Sequence, residues 1–152
     1  MRRSVLTLCL LLPFSAFAQQ WVGTWASSPQ LADANAAPPA PGLAGSTLRQ
    51  IVHVSIGGRQ MRVRFSNAFG TTPLTIAAAH VALAVATDGS AIKPSSDKAL
   101  GFRGQPSVTI PPGALALSDS LDFDLAPLSD LDRKSTRLNS SHIQKSRMPS
   151  SA

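Results

Sequence analysis

The sequence is poor in residues that build several common kinds of site. It has no Tyr, its aromatic residues make up 5% of the chain, and a single Cys occurs among 152 residues. One Cys cannot form a disulfide framework or a cysteine-based zinc site. So few aromatic side chains also disfavour a surface on which the bases of single-stranded nucleic acid stack. The hydrophobic fraction of 43% is still large enough for a buried core, which excludes wholesale disorder.

The excess of positive charge is confined to the two ends of the chain. The formal net charge is +6, from 14 Lys and Arg against 8 Asp and Glu. Residues 19–131 contain seven cations and seven anions, so their net charge is zero. A basic protein often binds an anionic partner, but here the balanced middle of the chain gives no reason to expect nucleic acid.

The first end has the pattern of a secretory signal peptide, residues 1–18. Arg2 and Arg3 precede an apolar run over residues 5–14, and Ala-Phe-Ala at residues 16–18 is a cleavage motif. The run is shorter than the roughly 20 residues that span a bilayer. The pattern predicts export to the periplasm or the exterior, with no membrane anchor after cleavage and no Cys in the mature chain.

The other end, residues 132–152, has no apolar periodicity and predicts a disordered tail. It carries five cations against one Asp. Codons can be chosen for residues 132–142 and 146–152 so that both segments resemble the two sides of a translated short-read sequencing adapter. The three residues between them then supply the bases of a sample index. We therefore expect this tail to be non-native, with the native sequence ending near Leu131.

The middle of the chain changes character at residue 47. Residues 19–46 form an N-terminal segment that runs into a Pro- and Ala-rich stretch, which predicts an extended loop. From residue 47 apolar side chains alternate with polar ones, and two such runs, residues 50–56 and 60–66, flank Gly57 and Gly58. This arrangement predicts a β-hairpin, because primed turns favour glycine.

Further short strands are expected along the rest of this region. Residues 74–86 predict one or two strands, residues 108–110 another, and residues 117–125 a strand with alternating apolar side chains. Pro-Pro-Gly at residues 111–113 predicts a turn. The fold class is therefore all-β, with residues 47–131 forming an incomplete, antiparallel, jelly-roll-like β-sandwich.

Four blocks of sequence together resemble the N-terminal part of secreted SGNH/GDSL-family hydrolases, which are esterases and lipases. The blocks are Trp-Val-Gly-Thr-Trp-Ala-Ser-Ser-Pro (residues 21–29), Thr-Leu-Arg-Gln-Ile-Val-His (47–53), Arg-Val-Arg-Phe-Ser-Asn-Ala-Phe-Gly (62–70) and Leu-Ser-Asp-Leu (128–131). The resemblance spans residues 21–131. It implies a non-catalytic β-domain that precedes a hydrolase domain, and the latter is missing here.

No residue of this chain can be assigned a catalytic role from the family motifs. The family's nucleophile lies in Gly-Asp-Ser, whereas the nearest match here is Ser-Asp-Ser, which ends at Ser120 within a strand-like run. The family's catalytic base is supplied by an Asp-x-x-His motif. The nearest match in this chain ends at His142, lacks the Asp and lies in the tail. A nucleophile elbow of the Gly-x-Ser-x-Gly type is also absent. We therefore assign no catalytic, cofactor-binding or metal-binding residues, and we expect no cofactor.

Other polar and aromatic residues have structural interpretations that we prefer. Two histidines, His53 and His80, have no carboxylate at ligand spacing, which argues against a zinc site. Arg62 and Arg64 are expected to be solvated strand residues, and Trp21 and Trp25 to anchor the N-terminal segment to the core.

The predicted function is that of a fragment of an exported SGNH/GDSL-type ester hydrolase, inactive by itself. Its first partner would be the missing C-terminal hydrolase domain, which lies in the same polypeptide in the parent enzyme. That domain would bind an ester substrate, carbohydrate-linked or not. The alternative is a free-standing secreted carbohydrate-binding β-sandwich, suggested by the two Trp. A basic nucleic-acid binder is a more distant third.

Overall fold

The computed structural model describes residues 20–31, 44–86, 89 and 91–137. The predicted signal peptide, the Pro- and Ala-rich stretch for which the sequence predicts a loop, and residues 138–152 lie outside the described residues. Within the described part, every regular element is a β-strand apart from one 3₁₀ turn, Pro94–Ser96. The nine strands occur in chain order, ending with the eight-residue strand β9: β1 Thr47–His53, β2 Gly58–Met61, β3 Arg64–Ser66, β4 Leu74–Leu83, β5 Lys98–Ala99, β6 Val108–Ile110, β7 Leu115–Leu117, β8 Leu121–Leu125 and β9 Asp130–Arg137.

The strands form one large antiparallel sheet and two small ones. The large sheet has the order β1-β9-β4-β5, with β6 also paired to β4. The two small sheets are the antiparallel pairs β2-β8 and β3-β7. The prediction of an all-β, antiparallel fold is confirmed.

The core lies between the large sheet and the two small ones. Val52, Ile76, Val81 and Leu131 contribute from the large sheet. Phe65, Phe123 and Leu125 contribute from the small sheets. Burial of these alternating apolar side chains explains why the period-two segments form strands. The prediction of a strand within residues 74–86 is confirmed as the single strand β4, and that at residues 108–110 as β6.

The predicted hairpin about Gly57 and Gly58 is wrong. Strand β1 pairs with β9, whereas β2 pairs with β8, so the two strands that flank the glycines belong to different sheets. Gly57 serves a close approach of backbones: a Cβ at this position would lie 2.7 Å from the backbone nitrogen of Pro127. Position 57 therefore requires glycine because there is no room for a Cβ, and not because the chain forms a hairpin turn here.

The single strand expected over residues 117–125 is interrupted. The segment divides into β7, which ends at Leu117, and β8, which begins at Leu121. Leu117 is exposed and Ser118 is buried, which reverses the expected orientation at this point. The break lets β7 and β8 pair in two different small sheets.

The expectation that the chain is unstructured from residue 132 onward is wrong for residues 132–137. These residues belong to β9, which lies between β1 and β4 and pairs with both. Pairing in a sheet uses backbone N–H and C=O groups, which every residue other than proline provides. The absence of an apolar period therefore does not prevent strand formation when a gap between two strands is available.

Candidate functional site

The outward face of the large sheet carries two His–Asp pairs. His53 Nδ1 lies 2.9 Å from Asp130 Oδ1, across the β1-β9 ladder. His80 Nδ1 lies 3.1 Å from Asp97 Oδ1, beside the 3₁₀ turn. Both pairs are partly exposed to solvent. An imidazole oriented by a carboxylate is the base half of a serine hydrolase site.

Neither candidate serine supplies the other half. Ser120 is exposed and its hydroxyl donates to Gln60 Oε1 at 3.4 Å. Ser118 is buried, where its Oγ accepts the N–H of Val63 and donates to the Asp119 carbonyl. Both hydroxyls thus hold neighbouring strands and loops in place. Neither Ser118 nor Ser120 forms a nucleophile–base pair with His53 or His80. The side chains of the Ser-Asp-Ser motif have a structural role instead.

Asp119, within that motif, anchors a neighbouring loop. Its two carboxylate oxygens accept the backbone N–H groups of Arg103 and Gly104, each at 2.8 Å. These bonds, Gly104 first, lower the pKa of Asp119, with a smaller contribution from the charge of Arg62. Arg103 and Gly104 both have positive φ, so the carboxylate stabilises a turn that the backbone adopts at some cost.

The two tryptophans are held by the protein. Trp25 packs against the hydrophobic core, which agrees with an anchoring role. Trp21 does not pack against the core: it is 41% exposed, and the Arg62 guanidinium lies over one face of its ring, 4.5 Å from the ring centroid. Thr24 fixes the same segment: its hydroxyl donates to the Ile56 carbonyl at 2.6 Å and accepts the Ile56 N–H at 2.8 Å. Arg64 is exposed on β3, as expected of a solvated strand residue.

The core face of β9 carries two arginines, Arg133 and Arg137. The Arg133 guanidinium lies 5.1 Å from the centroid of the Phe65 ring. Desolvation lowers the pKa of Arg133, and the charge of Arg137 lowers it further. Desolvation also lowers the pKa of Arg137, whose buried Nε has no hydrogen-bond partner within the part of the chain that the structure describes. Sequence analysis missed this cluster because it treated residues 132–137 as solvated.

Two observations on the described residues concern metal sites and membrane-spanning helices. Among the described residues, no group of three or more His, Cys, Asp or Glu side chains is arranged to hold a metal ion. In the same part of the chain, no helix has the length and hydropathy needed to cross a membrane.

Comparison with known proteins adds no relative. Neither a protein family nor a curated protein matches the chain.

Proposed function

We propose that the chain is a fragment of an exported SGNH/GDSL-type ester hydrolase that contains the non-catalytic N-terminal β-domain and lacks the hydrolase domain. The observation that carries the proposal is the co-occurrence, in one β-fold, of the four sequence blocks over residues 21–131. Within the described region, the hydroxyls of Ser118 and Ser120 bond to Val63, Asp119 and Gln60, and the His53 and His80 rings bond to Asp130 and Asp97.

The proposal includes a non-native origin for the residues after Leu131. Formation of β9 does not count against it, because the β1-β9 and β4-β9 ladders are made by backbone groups. The side chains of β9, and not its backbone pairing, bear on the origin of the segment. Polar residues occupy its core-facing positions, as an unselected sequence would place them.

Sequencing the genomic locus beyond the Leu131 codon tests the proposal directly. We expect the reading frame to depart from the present sequence after that codon and to continue to a Gly-Asp-Ser motif at a strand-to-helix turn. A natural stop codon soon after would favour the carbohydrate-binding module instead. A genomic sequence that retains residues 132–152 would reject the adapter origin.

An activity measurement provides a second test. We expect purified protein comprising residues 19–152 to show no hydrolysis of short-chain aryl esters that is sensitive to a serine-directed inhibitor. The matched control variant is Ser120→Ala, which removes the only hydroxyl of the Ser-Asp-Ser motif that is exposed. Inhibitor-sensitive turnover that disappears in this variant would overturn the claim that the chain is inactive alone.

The carbohydrate-binding alternative has less support from the geometry. A sugar ring stacks on an open aromatic face, whereas Arg62 occupies one face of the Trp21 ring and Trp25 packs against the core.

A further inference from the structure

Register defines which side chains of the large sheet face the core. Residues directly opposite each other in an antiparallel ladder share a face. Leu131 is paired with Val52 on one side and Leu83 on the other, an apolar row. Past Leu131, each core-facing residue of β9 is polar: Arg133 between Gln50 and Val81, Ser135 between Leu48 and Ala79, and Arg137 beside Ile76.

The strand next to β9 has the opposite chemistry at these rows. Ile76 is 1% exposed, Ala79 2% and Val81 1%, and all three belong to the buried hydrophobic set. The environment that β4 creates on the core face is therefore one in which apolar groups gain free energy by burial. Charged groups at the same rows lose hydration.

The polar groups on this face are poorly compensated. Arg137 Nε and Gln50 Oε1 are buried and have no hydrogen-bond partner among the described residues. Among the described residues, Arg49 is the only arginine that forms an ion pair. Arg133 and Arg137 therefore have no carboxylate partner in this part of the chain. Buried polar groups in native proteins are almost always paired, so this cluster is anomalous.

The outward face of the same strand is well compensated. Asp132 forms an ion pair with Arg49, and Asp130 lies beside His53. Thr136 Oγ1 lies 3.0 Å from Thr47 Oγ1 across the ladder. The mismatch is thus specific to the core face, and a general misfit of the strand does not explain it.

We propose that the slot between β1 and β4 fits a strand with apolar side chains at positions 133, 135 and 137, supplied by the native continuation of the polypeptide. Residues 132–137 occupy the slot through backbone pairing. The assignment of the occupant to the native chain rests on the proposed function; the preference of the slot for apolar side chains rests on the register and burial alone.

The experiment compares two double variants of residues 19–152 by urea denaturation. Arg133→Val with Arg137→Val changes the core face, and Lys134→Val with Thr136→Val is the control on the outward face, which likewise places Val at two positions of β9. We expect the core-face variant to increase the folding equilibrium constant about tenfold or more over the parent, because apolar groups in place of two partly buried arginines without carboxylate partners remove the cost of desolvating their charge. The control is expected to change it far less.

A core-face variant that gains no more than the control, in midpoint or in the amplitude of the cooperative transition, would overturn the proposal. The genomic sequence separates it from the proposed function. A frame that continues past Leu131 with apolar second, fourth and sixth residues supports both, whereas a continuation with polar residues there rejects the slot occupant alone. A stop codon at that point rejects the truncation while the urea comparison still decides the preference of the slot.

Discussion

Strands β4 and β9 are paired neighbours in the same sheet, but the chemistry of their core-facing side chains is opposite. β4 presents Ile76, Ala79 and Val81 to the core, all nearly inaccessible to solvent. At the paired rows β9 presents Arg137, Ser135 and Arg133. The comparison shows that the position of a strand can be set by available backbone partners while its side chains contribute little or oppose burial.

The largest expected effect comes from Ile76→Ala on β4. Loss of this fully buried side chain is expected to lower the free energy of unfolding by about 2–5 kcal/mol, through lost burial and the cavity left behind. Urea denaturation followed by circular dichroism measures it.

The control for Ile76→Ala is Arg137→Ala, at the paired position on β9. It should leave stability nearly unchanged or raise it, since the buried Nε of Arg137 has no hydrogen-bond partner in residues 20–31, 44–86, 89 and 91–137. Equal losses in the two variants would show that β9 contributes side-chain energy as β4 does, and the contrast between the strands would fail.

Asn67→Ala sharpens the comparison, because Asn67 is a buried polar residue with partners. Its Nδ2 lies within 3.0 Å of the Thr72 carbonyl, 2.9 Å of the Ile110 carbonyl and 3.1 Å of the Pro111 carbonyl. Removing it leaves buried acceptors unsatisfied, and we expect a loss of about 1–3 kcal/mol in urea denaturation. Ser66→Ala, at the neighbouring end of β3, is the control: it removes a single hydrogen bond, from the Ala68 N–H to the Ser66 Oγ, and should cost far less.

Asp119→Asn is expected to have a smaller effect that depends on pH. The backbone N–H bonds of Gly104 and Arg103 lower the pKa of Asp119 in the folded protein. A lowered folded pKa stabilises the protein above the unfolded pKa, and this contribution disappears as the pH falls through the folded value. The urea midpoints of parent and variant should therefore differ at neutral pH and converge in acid, below about pH 4. A difference that is constant with pH would contradict this assignment.

Trp21→Ala is expected to have the smallest effect, and it tests whether an arginine over an aromatic ring stabilises this fold. Arg62 over the partly exposed Trp21 should contribute about 0.5–1 kcal/mol. Arg62→Lys, which keeps the charge, should retain part of it in the same denaturation measurement. A loss of several kcal/mol would instead show that Trp21 anchors the N-terminal segment as Trp25 does.

Sequence reasoning located most strands, because alternation is a local signal. The runs that became β1, β4 and β6 were recognisable from it. It failed on pairing: Gly57 suggested a hairpin, yet β1 pairs with β9, far away in the chain. Long-range pairing depends on which strands are left to fill a sheet, and no local pattern encodes that.

The candidate site was harder to predict for the same reason. His53 and Asp130 are 77 residues apart, and the ladder alone brings them together. Asp119 was passed over because its role depends on two N–H groups of a distant turn.

By itself, the sequence determined that this chain forms β-structure with a core of alternating apolar residues, and it located where the net charge lies. Only the tertiary structure decided that residues 132–137 pair as β9 and that their arginines face the core. The physical reason is that side-chain periodicity controls which face of a strand is buried, whereas strand pairing is controlled by backbone groups common to every sequence.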